Sequence, residues 1–135
     1  MMVRREFEGM KPLEKRIFER FLLGGYLKGE YRYNVKLYVP LPPEAEKLSE
    51  PEREFWREKI AKRIDAICET DTSIYIIEVT PRLSPRSIGE ILMYEDLYKK
   101  QYLPTKLLQK IIVVEQDDPA LHDLLKKNDI GLFVV

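Results

Sequence analysis

Two carboxylates stand where carboxylates are costly. Glu78 interrupts the run Ile74-Tyr75-Ile76-Ile77-Glu78-Val79, and Asp65 lies in Arg63-Ile64-Asp65-Ala66-Ile67. An ionised carboxylate taken out of water needs a cation, a metal ion or hydrogen-bond donors to offset its lost hydration. Mg²⁺ is one such partner, because it takes oxygen ligands from one or two carboxylates, backbone carbonyls and water. A structural ion pair between Glu78 and Arg63 or Arg82 would serve equally, and a solvated sheet face would need no partner. Both segments read as strands, over residues 60–68 and 74–80, joined by the polar turn 69–73. Alternation places Arg63 with Asp65 on one face of the first strand and Glu78 with Thr80 on one face of the second. Whether the two carboxylates meet depends on the register between the strands.

Other chemistries are removed by counting. Cys68 is the only cysteine and His122 the only histidine, so no zinc-ligand spacing, disulfide or Cys/His pair can be written. No serine sits in a Gly-x-Ser-x-Gly turn that would make a nucleophile of it. Cys68 reads as a small buried hydrophobe at a strand end.

The elements that must position these carboxylates follow from local pattern. Pro12 to Leu23 reads as a helix, with proline in its first turn and Gly24-Gly25 as its stop. Tyr31, Tyr33, Val35, Leu37 and Val39 alternate with polar neighbours, the period of a half-buried strand with one inward face. Pro40, Pro42 and Pro43 break it, and residues 40–59 read as a Pro/Glu-rich insertion holding a short helix behind the capping box Ser49–Glu52. Pro81 is expected to end the Glu78 strand. Ser84-Pro85 starts the longest helix, reaching Tyr102 before Pro104. Ile111 to Val114 has the continuous apolar character of an interior strand. A last helix opens at Asp118-Pro119, and residues 130–135 close as a strand. The expected fold is α/β, a mixed central sheet flanked by helices. With 135 residues, enough to bury roughly 68% of the unfolded surface, it is read as one domain.

Hydrophobic residues make up 44% and charged ones 34%, which excludes a disordered or fibrous chain. No apolar run approaches the roughly 20 residues of a membrane span, and Met1 to Glu8 lack a leader-like apolar segment. The expected compartment is the cytoplasm, or a host's cytoplasm for a viral or mobile-element chain, with no membrane partner. Net charge is zero, yet residues 1–40 carry nine Lys/Arg against five Asp/Glu and residues 41–80 six against ten. Neutrality counts against strong non-specific DNA binding and leaves room for a local basic patch. Tyr94, Tyr98 and Tyr102 follow helical spacing and read as core or interface before they read as base-stacking rings. Trp56 is expected to anchor the insertion or to join a subunit interface.

Over roughly residues 10 to 115 the chain resembles the PD-(D/E)xK nuclease superfamily, the restriction-endonuclease-like fold that includes archaeal Holliday-junction resolvases. Glu14 matches the family's helical glutamate ahead of a Gly-aromatic turn, here Gly25-Tyr26. Asp65 matches its metal-binding aspartate, and Glu78 the acidic residue of its E-x-K motif. Glu90 and Tyr94, one helical turn apart, are similar to its Q-x-x-x-Y element. The resemblance implies an αβββαβ core with a C-terminal αβ extension. It implies Mg²⁺ or Mn²⁺ held by Asp65, Glu78 and the Val79 carbonyl, DNA as partner, and a homodimer or larger assembly. Thr80 stands where the motif has lysine. Losing such an electrostatic contact costs about 10² to 10³ in rate; the candidates to supply the cation from a neighbouring position are Arg63, Arg82, Arg86 and Lys62, of which Arg63 and Arg82 have the better strand parity. An arginine there could hold phosphate charge without acting as a base. Two functions are therefore expected: a metal-dependent DNA endonuclease or exonuclease, or a catalytically degenerate member of that fold acting in nucleic-acid binding or assembly. An unrelated α/β protein with structural carboxylates is the remaining reading.

Overall fold

Proline at the first position, a glutamate in the first turn and glycines behind the last make Pro12–Leu23 a helix, α1, in the computed structural model, which describes residues 7–135. The expected absence of a leader rests on residues that lie mostly outside this range. The chain continues through β1 (Glu30–Leu37), a 3₁₀ turn (Pro43–Lys47), α2 (Glu50–Ile60), β2 (Lys62–Glu69), β3 (Ser73–Arg82) and α3 (Pro85–Tyr102). It ends with β4 (Leu107–Gln116), a 3₁₀ turn (Pro119–Leu121), α4 (His122–Lys127) and β5 (Ile130–Val134). Among the described residues the fold is α/β, a five-stranded mixed sheet flanked by four helices. Strands lie in chain order, β1–β2 and β2–β3 antiparallel, β3–β4 and β4–β5 parallel.

Each face of the sheet carries its own apolar cluster. Ile17, Phe18 and Phe21 of α1 pack with Ala66, Cys68, Ile77, Val79, Ile111 and Val113 on one face. Ile88, Ile91, Tyr94 and Tyr98 of α3 pack with Ile67, Ile76, Ile112 and Val114 on the other. Adjacent residues of Ile111–Val114 thus belong to opposite clusters, which is why that run needs no polar position. Tyr94 and Tyr98 are core, as expected, while Tyr102 stacks on Tyr98 and donates to the Lys36 carbonyl. A buried cation joins the layers: Lys110 Nζ of β4 meets Glu95 Oε2 of α3 at 2.7 Å. The insertion folds largely on itself; α2 buries no residue, and half-exposed Trp56 lines an apolar groove with Leu41, Ala45, Leu48 and Ile60.

The structure corrects the one-faced reading of β1. Tyr31 and Tyr33 face α1, but Val35 and Leu37 join the α3 cluster, and the strand stops at Leu37 rather than Val39. The face changes at Asn34, whose φ of 52° is a left-handed conformation that asparagine tolerates better than most residues. Opposite Asn34 in the antiparallel register, between the pairs Tyr33↔Ala66 and Val35↔Ile64, stands Asp65. β2 changes face there too, from Ile64 in the α3 cluster to Ala66 in the α1 cluster. Gly9 packs against this kink. A Cβ on it would lie 2.6 Å from Asn34 Oδ1, and its φ is +88°.

Pro81 does not end β3, which runs on to Arg82. The last registered pair between β2 and β3 is Ala66↔Ile77, after which β2 stays with β1 and β3 with β4. With no β2 neighbour beyond that point, a residue lacking an N–H is accommodated on that side.

Candidate functional site

Where β2 and β3 part, the sheet opens into a cavity of about 550 Å³. At the vertex the Val79 N–H donates to Asp65 Oδ2 at 2.8 Å, so a side chain replaces the backbone acceptor that a continuing ladder would offer. Asp65 and Glu78 reach the cavity from the two diverging strands, and Glu90 and Tyr94 from α3. Glu14 lines it from α1, where its Oε1 also accepts the Lys11 backbone N–H at 2.9 Å and caps the helix. Register and strand divergence thus bring together Glu14, Asp65, Glu78, Val79, Glu90, Tyr94 and Arg86, the residues that sequence spacing singled out separately.

The cations fall differently. Arg63 stands outside the cavity beside Lys36, its register partner, and close to Glu58. Arg82 donates from Nε to Gln116 Oε1 at 3.2 Å on the β4 side. Strand parity favours these two, but parity fails where β2 changes face and β3 continues past its β2 partner. Among the described residues, the basic ones lining the cavity are Arg86, whose Nε meets Glu90 Oε1 at 2.8 Å, and Lys11. Lys62 acts on the cavity only through its charge near Glu90. Sequence reasoning passed over Lys11; its signal was the position just before Pro12, three residues ahead of the capping Glu14.

Among the described residues Glu78 has no ion pair, so the structural alternative with Arg63 or Arg82 does not describe it. Nor is it solvated, being 7% exposed. Burial and the adjacent Asp65 and Glu90 carboxyls raise its affinity for a proton far above that of an ordinary glutamate. Retaining that proton lets it donate to one neighbour or the other, Asp65 or Glu90. Burial also raises Asp65, with the charge of Glu14 adding to the effect and the Val79 N–H opposing it. Glu90 is lowered by the Glu78 hydrogen bond first and by Arg86. Burial and these carboxyls push the Tyr94 phenol up, which keeps it a donor. The floor is thus a cluster of carboxyl groups in which burial and mutual proximity favour the protonated form of Glu78.

That condition, with an oxygen-only donor set, suits a hard divalent ion. Among the described residues no group of three or more His, Cys, Asp or Glu side chains is arranged to hold a metal. Mg²⁺ often uses only one or two carboxylates and keeps several waters, so Asp65 and Glu78, with Val79 beside them, fit that looser requirement. Among the described residues no helix is long and apolar enough to cross a membrane. Compared with known proteins, the chain matches no family model, no curated protein and no solved structure.

Proposed function

We propose that the chain hydrolyses phosphodiester bonds of DNA with the help of Mg²⁺ or Mn²⁺, as its resemblance to the PD-(D/E)xK nucleases implies. The observation that carries this reading is the meeting of Asp65 and Glu78 at the point where β2 and β3 separate, buried, facing a cavity, and without a cation between them. Asp65 and Glu78 would hold the ion, with the Val79 carbonyl as a further ligand. When bound, the ion supplies Lewis acidity toward the phosphate and lowers the pKa of a coordinated water. Glu78 would hold the cation in its carboxylate form, and the Val79 N–H keeps Asp65 oriented. Glu14 and Glu90 supply acceptors around the floor, and Tyr94 a donor. The reaction adds water across a P–O ester bond, leaving one phosphate monoester and one hydroxyl.

The test is cleavage of labelled single-stranded, duplex and four-way-junction DNA in Mg²⁺ or Mn²⁺, comparing wild type with Asp65→Asn and Glu78→Gln. Both substitutions are close in shape, and the amide oxygen of the introduced asparagine can still accept from the Val79 N–H. Turnover lost in both variants is expected. Turnover retained in either would remove that carboxylate from the mechanism.

A second reading is favoured by Thr80, which offers the floor a hydroxyl where the motif lysine would offer a charge. In it the chain binds nucleic acid or serves in an assembly without cleaving. Folded wild type that binds DNA but does not turn over with either metal is its expected result.

A further inference from the structure

We infer that Lys11 and Arg86 form a two-cation clamp across the cavity mouth that grips a phosphodiester of a nucleic-acid strand. The inference rests on the reading of the floor as a phosphodiester site and assigns the charge that Thr80 does not provide. Lys11 precedes α1 and Arg86 lies in the first turn of α3, helices packed on opposite faces of the sheet, so the two side chains approach the mouth from different walls. Lys11 is exposed and its ammonium has no acidic partner among the described residues. The Arg86 side chain is 88% exposed and engages Glu90 through Nε alone, leaving its terminal nitrogens for another acceptor. Arg57, by contrast, spans Glu50 and Glu54, and Lys106 meets both Glu69 and the Thr70 carbonyl.

Charge on the floor sets a condition on the clamp. The carboxyl groups of Asp65, Glu78, Glu90 and Glu14 gather on the floor against two cations on the walls, so an anionic phosphate that entered alone would meet more acidic than basic groups. The clamp therefore closes on a strand only when a divalent ion has neutralised the floor, so nucleic-acid binding depends on the ion even where no bond is cut. A planar guanidinium and a flexible ammonium both suit a phosphodiester, the first through paired donors and the second as a point charge.

The experiment measures binding of short labelled single-stranded and duplex DNA to the full chain in Ca²⁺ and in EDTA, with inorganic phosphate as competitor. Lys11→Gln and Arg86→Gln are compared with Lys126→Gln, an exposed lysine of α4 outside the cavity. Both mouth residues are exposed, and circular dichroism checks that the variants fold. Each mouth substitution is expected to weaken binding roughly tenfold and lower the salt-dependence slope by about one, while Lys126→Gln stays within about twofold. EDTA is expected to abolish binding. Wild-type affinity in both mouth variants, binding indifferent to EDTA, or no binding by wild type overturns the clamp. So does displacement by inorganic phosphate at the oligonucleotide's own concentration, which would mark a site for free phosphate. Cleavage measured in parallel separates the two ideas. Clamp-dependent binding without turnover sinks the hydrolytic reading and keeps the clamp, whereas turnover unaffected by both substitutions does the reverse.

Discussion

Replacing Glu78 by glutamine tests the account of the cavity floor without reference to any substrate. In the folded chain the Glu78 carboxyl keeps its proton at pH values where the unfolded chain's glutamates, with an ordinary value of 4.5, have lost theirs. The folded state then binds more protons than the unfolded state, so stability falls as pH rises. The contribution of Glu78 is fully present below its unfolded value and lost as pH climbs toward the raised folded one. One differential proton corresponds to about 1.4 kcal/mol per pH unit. Across pH 5 to 8 this sets a ceiling of about 4 kcal/mol, and about half of that once water relaxes the open cavity. The introduced glutamine is neutral throughout, and its two N–H donors can serve Asp65 and Glu90 together, where the carboxyl proton can serve one at a time. Urea unfolding followed by far-UV circular dichroism, preferable to fluorescence because Trp56 is half-exposed, gives the stability of both proteins at each pH. The variant is expected to overtake wild type as pH rises, the gap widening steadily, and Mg²⁺ is expected to narrow it by stabilising wild type alone. Parallel pH profiles would show that Glu78 ionises like a surface glutamate, and the case for an uncompensated acidic floor would collapse.

Binding of Mg²⁺ or Mn²⁺ to wild type should tighten from pH 6 to pH 8 and release up to one proton, because the ion displaces the Glu78 proton; titration calorimetry in two buffers of different ionisation enthalpy reads this directly, and a buffer-independent heat would contradict it. Glu95→Ala should destabilise by about 3 kcal/mol, since it strands the ammonium of Lys110, which is 8% exposed; a shift in urea midpoint worth less than about 1 kcal/mol would show that Lys110 finds water or another partner. Gly9→Ala should cost about 1 to 3 kcal/mol through its positive φ and its clash with Asn34. An unchanged melting temperature would show that the kink can shift aside.

Local chemistry settled much of this molecule in advance. Pro12 and the Gly24-Gly25 pair bound α1, and Ser84-Pro85 opens α3, because capping and proline geometry act over a few residues. Ile111–Val114 read as an interior strand and is one, between β3 and β5, and Asp65 and Glu78 were conspicuous as charges among isoleucines. Their partners, by contrast, were not legible. Alternation makes Tyr31, Tyr33, Val35 and Leu37 a single face, and nothing local announces that Asn34 turns the strand over. That turn is sustained by its match with Asp65 across the ladder and by Gly9 from before α1, contacts remote in the chain. The same non-local register parts β2 from β3, carries β3 through Pro81, and turns Arg63 and Arg82 away from the cavity. Residue type and spacing thus determined which acids needed an explanation. Only the tertiary arrangement decided that they meet and that Lys11 and Arg86 flank them, because strand register and helix placement depend on packing between segments that no local pattern records.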